Sequence, residues 1–330
     1  MSRTLIIAAT AAAALAANVH ERGYYEEKFI NWMTEHNVKP ENGQRFVQML
    51  ENFANNDDVI EETNAKNLSY KLGHNKYSHM DLNEWREHVR LGLGFPTHTP
   101  AANLHSAPAD KSSIPSAVDW RESGAVTPVK DQGNCGSCWS FSTTGAMEGA
   151  NKIKTGTLVS LSEQNFVDCD DNGDHGCFGG LMDNAFEWAQ GNGGVCSEEA
   201  YPYNAKKGDC NTSCGTKYAA PKSYTDVAKN DEDALMSAIA QQPVSVAIEA
   251  DEKTFQLYKS GVLTAECGTN LDHGVLAVGY GTDNGVNYWT VKNSWGDSWG
   301  ENGYIRLSRD VSQRGGQCGI LMGPPSYPNM

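Results

Sequence analysis

Basic side chains are scarce in this sequence relative to acidic ones. It contains 26 lysines and arginines against 41 aspartates and glutamates, which gives a formal net charge of −15. Binding to nucleic acid or to an anionic membrane surface requires basic patches. The charge balance therefore predicts that the protein binds neither nucleic acid nor a membrane.

Long apolar runs are absent after residue 17, and the one run before it, Leu5–Ala17, is too short to span a bilayer. That run follows Arg3, and Ala14 and Ala16 give it an A-x-A cleavage pattern. Together these features predict a signal peptide over residues 1–16. We therefore expect a protein of the secretory pathway, delivered to a lysosome or vacuole or to the outside of the cell.

Cysteine is absent before position 135, although the rest of the chain contains nine. The secretory route favours disulfides, and an odd number leaves one thiol without a partner if the others pair. The nine are Cys135, Cys138, Cys169, Cys177, Cys196, Cys210, Cys214, Cys267 and Cys318.

Three stretches of different composition follow the predicted signal peptide. Apolar residues recur at helical spacing from Tyr25 to His36 and from about residue 44 to 64, which predicts a small α-helical unit. The proline-containing stretch 95–115 predicts an extended, exposed linker. After it we expect a helix over 140–153 and strands over 244–248, 275–280, 288–291 and 304–307.

The segment Gln132–Trp139, with the sequence QGNCGSCW, contains the strongest chemical signal. Cys138 is expected to open a helix, and a helix N-terminus stabilises a thiolate and lowers its pKa. A thiolate is the nucleophilic form of cysteine. Three other interpretations stay open from the residues alone: a redox pair with Cys135, half of a zinc site, or two structural cysteines.

A candidate base and a group to orient it lie far along the chain. His273 comes directly before the predicted strand 275–280, and Asn293 follows the next predicted strand. A nucleophile, a base and an orienting group together form the arrangement of a catalytic triad. Spacing alone leaves an exposed histidine and a tight turn as alternatives.

These segments resemble the papain family, and within it the cathepsin L-like endopeptidases. The resemblance rests on 118–121 (VDWR), 132–139, 176–180 (GCFGG), 201–203 (YPY), 272–273 and 293–305. It implies a two-lobed α+β fold preceded by a helical pro-domain. The expected boundaries are residues 1–16 for the signal peptide, 17–112 for the inhibitory pro-domain and linker, and 113–330 for the peptidase.

The resemblance also implies a role for each residue of the catalytic centre. Cys138 resembles the nucleophile, His273 the general acid and base, and Asn293 the residue that orients the imidazole. Gln132 resembles the side-chain donor to the oxyanion, beside the backbone N–H of Cys138. Neither a metal nor a cofactor takes part in this chemistry.

Substrate-binding residues are implied in the same way. The expected set comprises Gly179, Gly180, Leu181, Met182, Ala247, Leu271, Asp272, Gly274, Trp295 and Gly323. Six of these, 181, 182, 247, 271, 274 and 323, are expected to line an apolar pocket for the second residue before the scissile bond. Trp295 resembles the indole that shields the His–Asn hydrogen bond, and Asp272 is expected to point away from the pocket.

The disulfides implied by the family pattern are Cys135–Cys177, Cys169–Cys210 and Cys267–Cys318, and we add Cys196–Cys214 as the remaining pair. The pro-segment resembles an inhibitory one through Arg45, Asn52, Ile60 and Asn64, with one extra helical turn between the second and the third. Residues 73–77, with the pattern G-x-N-x-Y, resemble the second motif of such inhibitory pro-segments. Two residues later, His79 stands at a position in which aspartate is common in the family.

We therefore expect a monomeric cysteine endopeptidase, made as a zymogen, that prefers hydrophobic or aromatic residues in this pocket. Its expected partners are protein and peptide substrates, its own pro-segment and cystatin-like inhibitors. Asn67 and Asn211 lie in glycosylation sequons, and the acidic run 168–174 is expected to be a solvated loop. The alternatives are a catalytically silent binding protein and a thiol–disulfide oxidoreductase that uses Cys135 and Cys138.

Overall fold

The computed structural model of the protein describes residues 18–90, 100–323 and 325–330. The predicted signal peptide lies outside the described residues. Within those ranges, no helix is both long enough and apolar enough to cross a membrane.

Two helices, α1 (Arg22–Glu35) and α2 (Gly43–Ala65), form the unit that the helical periodicity predicts. The side chain of Asn42 caps α2 by accepting a hydrogen bond of 2.9 Å from the Arg45 amide. The two helices share a separate apolar core built from Tyr25, Phe29, Trp32, Met49, Leu50, Phe53 and Ala54. This core stabilises the pro-segment without a disulfide.

One face of α2 binds the chain that follows it. Asn52 donates to the backbone oxygen of His79 at 3.2 Å, and Asn64 donates to that of Leu72 at 2.9 Å. Arg45 forms an ion pair with Glu84, and Ile60 is buried. The extra turn therefore keeps all four residues of the predicted series on one face, because a whole turn does not rotate the helix surface.

The rest of the expected pro-segment contacts the chain after residue 113 through strand β1 (Tyr70–Leu72) and helix α3 (Leu82–His88). Strand β1 pairs antiparallel with residues 258–261. Asp81 caps α3 by accepting from the amide of Glu84 at 2.8 Å. Trp85, in the middle of α3, is fully buried.

The predicted linker is largely extended and exposed over its described residues. One short stretch of it forms a strand that pairs with the sheet. Strand β2 (Asn103–His105) pairs parallel with residues 225–227, and a single 3₁₀ turn follows at Lys111–Ser113. Ser112 and Ser113 are exposed. A short strand, β3 (Val118–Asp119), then enters the enzyme.

The first lobe of the enzyme is helical. It contains α4 (Cys138–Thr155), α5 (Glu163–Cys169) and α6 (Met182–Gly191), with a small hairpin of β4 (Val195–Cys196) and β5 (Lys217–Tyr218). Helix α4 begins two residues earlier than the predicted span 140–153 and ends two residues later.

The second lobe is a sheet. Its remaining elements are β6 (Ser223–Val227), α7 (Glu232–Ile239), β7 (Val244–Ile248), α8 (Lys253–Gln256), β8 (Tyr258–Leu263), β9 (His273–Asp283), β10 (Val286–Lys292), β11 (Tyr304–Ser308) and β12 (Ser326–Asn329). The strand order is β1-β8-β11-β10-β9-β7-β12-β6-β2, with β3 on β9. The four predicted strands correspond to β7, β9, β10 and β11, and the fold is the predicted two-lobed α+β fold.

Candidate active site

Cys138 is the first residue of α4 and lies against the first residues of β9. Its Sγ accepts a hydrogen bond of 3.4 Å from the backbone N–H of Gly274. A Cβ at Gly274 would lie 3.3 Å from the Cα of Trp139, closer than most side chains tolerate. Glycine at this position therefore lets β9 approach the N-terminus of the helix.

His273 precedes Gly274 and is fully buried. Its Nε2 lies 2.8 Å from Oδ1 of Asn293, and the same oxygen accepts from the amide of Ser294 at 2.8 Å. Because this oxygen is an acceptor, Nε2 carries the proton. Nδ1, which has no hydrogen-bond partner among the described residues, is then the nitrogen able to take a proton.

Trp295 covers the imidazole. The rings of Trp295 and His273 stack with centroids 4.8 Å apart and planes 22° from parallel, and Trp295 is fully buried. The indole excludes water from the His273–Asn293 hydrogen bond, which strengthens that bond in its low-dielectric surroundings.

Both ends of the Gln132 side-chain amide are held by hydrogen bonds. Its Oε1 accepts from the hydroxyl of Ser294 at 2.6 Å, and its Nε2 donates to the backbone oxygen of Cys135 at 3.0 Å. The same Nε2 lies 3.4 Å from the backbone oxygen of Val89, at the end of α3. The backbone oxygen of Val89 thus occupies the donor that was expected to serve the oxyanion.

Helix α3 packs over the site through its aromatic side chain. The indole of Trp85 meets that of Trp295 edge-on, with centroids 5.5 Å apart and planes at 86°. Tyr77 contacts the same indole at 6.4 Å. The pro-segment therefore packs on the side chain that shields His273.

Burial shifts the pKa of both members of the pair. It raises the pKa of the Cys138 thiol to about 11 and lowers the pKa of His273 to about 4. Hydrogen bonds from the backbone N–H groups of Gly274, Trp139 and Cys138 act in the opposite direction on the thiol and lower its pKa. Burial thus favours the neutral form of each group, whereas these N–H groups favour the thiolate.

The expected pocket residues lie next to one another around Gly323. A Cβ at Gly323 would lie 2.8 Å from Cδ1 of Leu271 and 3.0 Å from Cβ of Ala247. A Cβ at Gly274 would lie 3.2 Å from Sδ of Met182. The five residues are thus neighbours on one apolar surface, and Leu181, which precedes Met182, is nearly buried.

The neighbouring glycines and Asp272 have other contacts. Gly179 has a φ of +105°, and a Cβ at Gly180 would lie 2.6 Å from the indole of Trp139, so no other residue fits there without a shift. Asp272 accepts from the amide of Ala250 at 2.8 Å through Oδ1. Its carboxylate therefore faces the loop after β7.

Four disulfides join Cys135–Cys177, Cys169–Cys210, Cys196–Cys214 and Cys267–Cys318. Cys138 is the free cysteine. Because Cys135 is bonded to Cys177, it is not available to form a redox pair with Cys138. The geometry thus disfavours the oxidoreductase alternative.

Two acidic residues near this site were not recognised from the sequence. Asp170 and Asp174 are buried, so the prediction of a solvated acidic loop is wrong for them. Oδ1 of Asp174 accepts from the amide of Leu181 at 2.8 Å and from Asn184 at 3.1 Å. Burial and their mutual repulsion raise the pKa of Asp170 to about 8, and burial raises that of Asp174 to about 6.

Comparisons with known proteins agree with this geometry. Residues 114–327 match the family described as papain family cysteine protease, and residues 29–85 match the cathepsin propeptide inhibitor domain. The chain is 49% identical over 302 residues to a probable cysteine protease of Arabidopsis thaliana, covering 90% of this chain but 65% of that protein. It is 45% identical to a cysteine proteinase of Brassica napus, covering 91% of this chain and 95% of that protein.

Solved precursors have the same fold. A recombinant stem bromelain precursor superposes with a TM-score of 0.85 at 41% identity, covering 93% of this chain and 99% of that one. The proform of the ragweed pollen cysteine protease Amb a 11 superposes with a TM-score of 0.83 at 37% identity, covering 94% and 98%.

Proposed function

Because this chain belongs to the papain family of cysteine proteases and carries a propeptide inhibitor domain, we propose that Cys138 and His273 are its catalytic pair. The chain is a cysteine endopeptidase synthesised as a zymogen. The observation that carries the assignment is the free Cys138 at the start of α4, hydrogen-bonded to the residue after His273.

In the proposed reaction the Cys138 thiolate attacks the carbonyl carbon of the scissile bond and forms a C–S bond. The negative charge on the carbonyl oxygen is stabilised by Nε2 of Gln132 and by the backbone N–H of Cys138. His273 gives its proton to the leaving nitrogen as the C–N bond breaks. Water, deprotonated by His273, then attacks the acyl carbon, and the C–S bond breaks to return the thiolate.

Asn293 and Trp295 keep the imidazole in a productive orientation. The Nε2 hydrogen bond to Asn293 fixes the ring so that Nδ1 serves the thiol, and stacked Trp295 protects that bond from water. Removal of the pro-segment readmits water to the cleft, which favours the charged thiolate and imidazolium. The same event frees Gln132 from the carbonyl of Val89.

The proposed specificity is for a hydrophobic or aromatic residue in the pocket of Met182, Ala247, Leu271, Gly274 and Gly323, beside Leu181. Such a pocket stabilises an apolar side chain by about 1.5–3 kcal/mol. An arginine there needs an acidic partner to offset its desolvation. Gly179, Gly180, Asp272 and Trp295 form further walls of the proposed substrate cleft.

The remaining assignments complete the proposal. Residues 17–112 are the pro-domain and linker and 113–330 the peptidase, with cleavage near the exposed Ser112. The protein enters the secretory pathway and acts as a monomer in a vacuole or lysosome or outside the cell. The name of one relative, a KDEL-tailed cysteine endopeptidase of Arabidopsis thaliana, suggests the same pathway for that relative. Cystatin-like proteins inhibit the enzyme after activation.

Cys138→Ala and His273→Ala test the proposed pair. Each variant is expected to abolish peptide hydrolysis by the processed enzyme while the precursor keeps its circular dichroism spectrum and melting temperature. Asn211→Ala, at an exposed position, serves as the control and keeps full activity. Turnover by folded Cys138→Ala at the wild-type rate would refute the assignment.

A further inference from the structure

An arginine of the pro-segment is bound by an acidic loop next to the catalytic histidine. Arg86, on α3, donates from Nε to the backbone oxygen of Asp251 at 2.8 Å, and its guanidinium pairs with Oδ2 of the same residue at 3.0 Å. The two contacts hold the guanidinium at both the main chain and the side chain of one residue. The loop thus binds a basic side chain in the precursor.

The register of the sheet places this loop relative to the proposed pocket. Ala247 of β7 pairs with Gly274, and Ile248 pairs with His273. Following β7 from the pocket residue Ala247 toward Asp251 therefore leads past His273, away from Gly274. Asp272, which precedes His273, ties the loop to the histidine. Its backbone N–H donates to the carbonyl oxygen of Ile248 at 3.0 Å, and its Oδ1 accepts from the backbone N–H of Ala250.

The loop concentrates negative charge. One carboxylate oxygen from each of Glu249, Asp251 and Glu252 lies within 4.8 Å of the others. Asp272 is 5% exposed, and its Oδ2, like Oδ1 of Asp251, is buried without a hydrogen-bond partner among the described residues. Burial, with the charges of Asp251 and Glu249, raises the pKa of Asp272 to about 7, whereas Arg86 opposes that rise.

The basic residue on the same segment of the enzyme does not neutralise this charge. The ammonium of Lys253 binds Oδ1 of Asn56 at 2.8 Å and Oε1 of Gln256 at 2.9 Å. Arg86 is the cation that pairs with Asp251 in the described part of the chain. When the pro-segment leaves, Asp251 loses this partner and Asp272 stays beside it.

We propose that Asp251, backed by Asp272, forms a subsite that binds an arginine or lysine of the substrate on the leaving-group side of the scissile bond. His273 passes its proton to the leaving amine, so the chain beyond that amine extends past His273, where Asp251 lies. The inference rests on the proposed function. It assigns to the enzyme a preference for basic residues in the part of the substrate that is released first.

Internally quenched peptides test the subsite. All share a phenylalanine two residues before the scissile bond, and each carries arginine, glutamine or glutamate at one of the first three positions after it. The precursor is expressed and processed, and kcat/KM is measured for each peptide. An ion pair that is partly exposed gives up to about fivefold discrimination, so arginine is expected to exceed glutamine by about that factor at one position.

Two variants assign the preference to Asp251. Asp251→Asn is expected to equalise kcat/KM for the arginine and glutamine peptides. Asp251→Arg is expected to reverse the order in favour of glutamate. Glu266→Gln removes the same charge from an exposed position outside the loop, and is expected to keep the wild-type ratio.

The outcomes separate this inference from the proposed function. Efficient cleavage of all peptides by the wild-type enzyme with no arginine preference at any of the three positions would overturn the subsite and leave the peptidase assignment intact. An arginine preference that survives in Asp251→Asn would also overturn it. Failure to cleave any peptide would refute the proposed function, on which the subsite depends.

Discussion

Nε2 of Gln132 donates a hydrogen bond of 3.4 Å to the backbone carbonyl oxygen of Val89. In the processed enzyme the same amide is proposed to donate to the carbonyl oxygen of the substrate. The precursor therefore fills its own oxyanion donor with a pro-segment carbonyl. This contact links latency and catalysis through one side chain.

Gln132→Ala is expected to slow the processed enzyme without inactivating it. Loss of one oxyanion donor costs on the order of 10²–10³ in kcat, and KM changes little because the interaction strengthens in the transition state. Steady-state kinetics on one peptide measure both constants, and Gln241→Ala, at an exposed position, is the control. A wild-type kcat would remove Gln132 from the oxyanion site.

Trp85→Ala is expected to make the precursor leaky. The buried indole packs on Trp295, and truncating a buried Trp costs roughly 3–5 kcal/mol, which corresponds to inhibition weaker by about 10²–10⁴-fold. The measurement is the peptidase activity at neutral pH of a precursor whose linker resists cleavage. Glu87→Ala, on the exposed side of α3, is expected to stay latent. Equal latency of both variants would contradict the role of Trp85.

Matched peptides with phenylalanine or arginine at the second position before the scissile bond test the apolar pocket. We expect the wild-type enzyme to prefer phenylalanine. Gly323→Glu is expected to raise the relative kcat/KM for arginine, although its Cβ requires the flexible end of Leu271 to shift and Ala247 to give way slightly. Gly323→Gln has the same shape without the charge and should lack this effect. Equal kcat/KM for the two peptides in the wild-type enzyme would refute the pocket.

The buried pair Asp170 and Asp174 makes stability depend on pH. Both pKa values are raised, to about 8 and about 6, so between pH 4 and pH 8 the native state binds more protons than the unfolded state. Stability therefore falls as the pH rises through this window. Asp174→Asn keeps the oxygen that accepts from the Leu181 amide. It is expected to reduce the loss in the free energy of unfolding between pH 4 and pH 8 by on the order of 2 kcal/mol.

Thermal unfolding of the precursor at the two ends of this window measures the effect. Asp209→Asn, at an exposed position, is the control and should retain the wild-type dependence. An unchanged slope in Asp174→Asn would mean that the pair does not titrate in this range.

The sequence predicted those features whose cause is local. Helix α2 shows its periodicity in Phe46, Met49, Leu50 and Phe53, and the start of α4 follows from the segment around Cys138. The roles proposed for Cys138, His273 and Asn293 came from the family resemblance, because spacing alone left an ordinary turn and an exposed histidine open.

Contacts between distant segments could not be predicted in this way. Trp85 lies on a helix of seven residues, too short for a clear period, and Asp251 is 165 residues from the arginine that binds it. Asp170 and Asp174 appear in the sequence as a charged, solvated run, since nothing local shows that they are buried. The raised thiol pKa has the same origin, because it depends on how deeply the packing of distant segments buries Cys138.

Covalent labelling followed by peptide mapping tests the central claim most directly. The processed enzyme and the precursor are treated at neutral pH with a peptidyl chloromethyl ketone, and the modified residue is located by mass spectrometry. The account predicts one label, on Cys138, that forms in parallel with the loss of activity in the processed enzyme and not in the covered precursor. Complete loss of activity with Cys138 unmodified would contradict it.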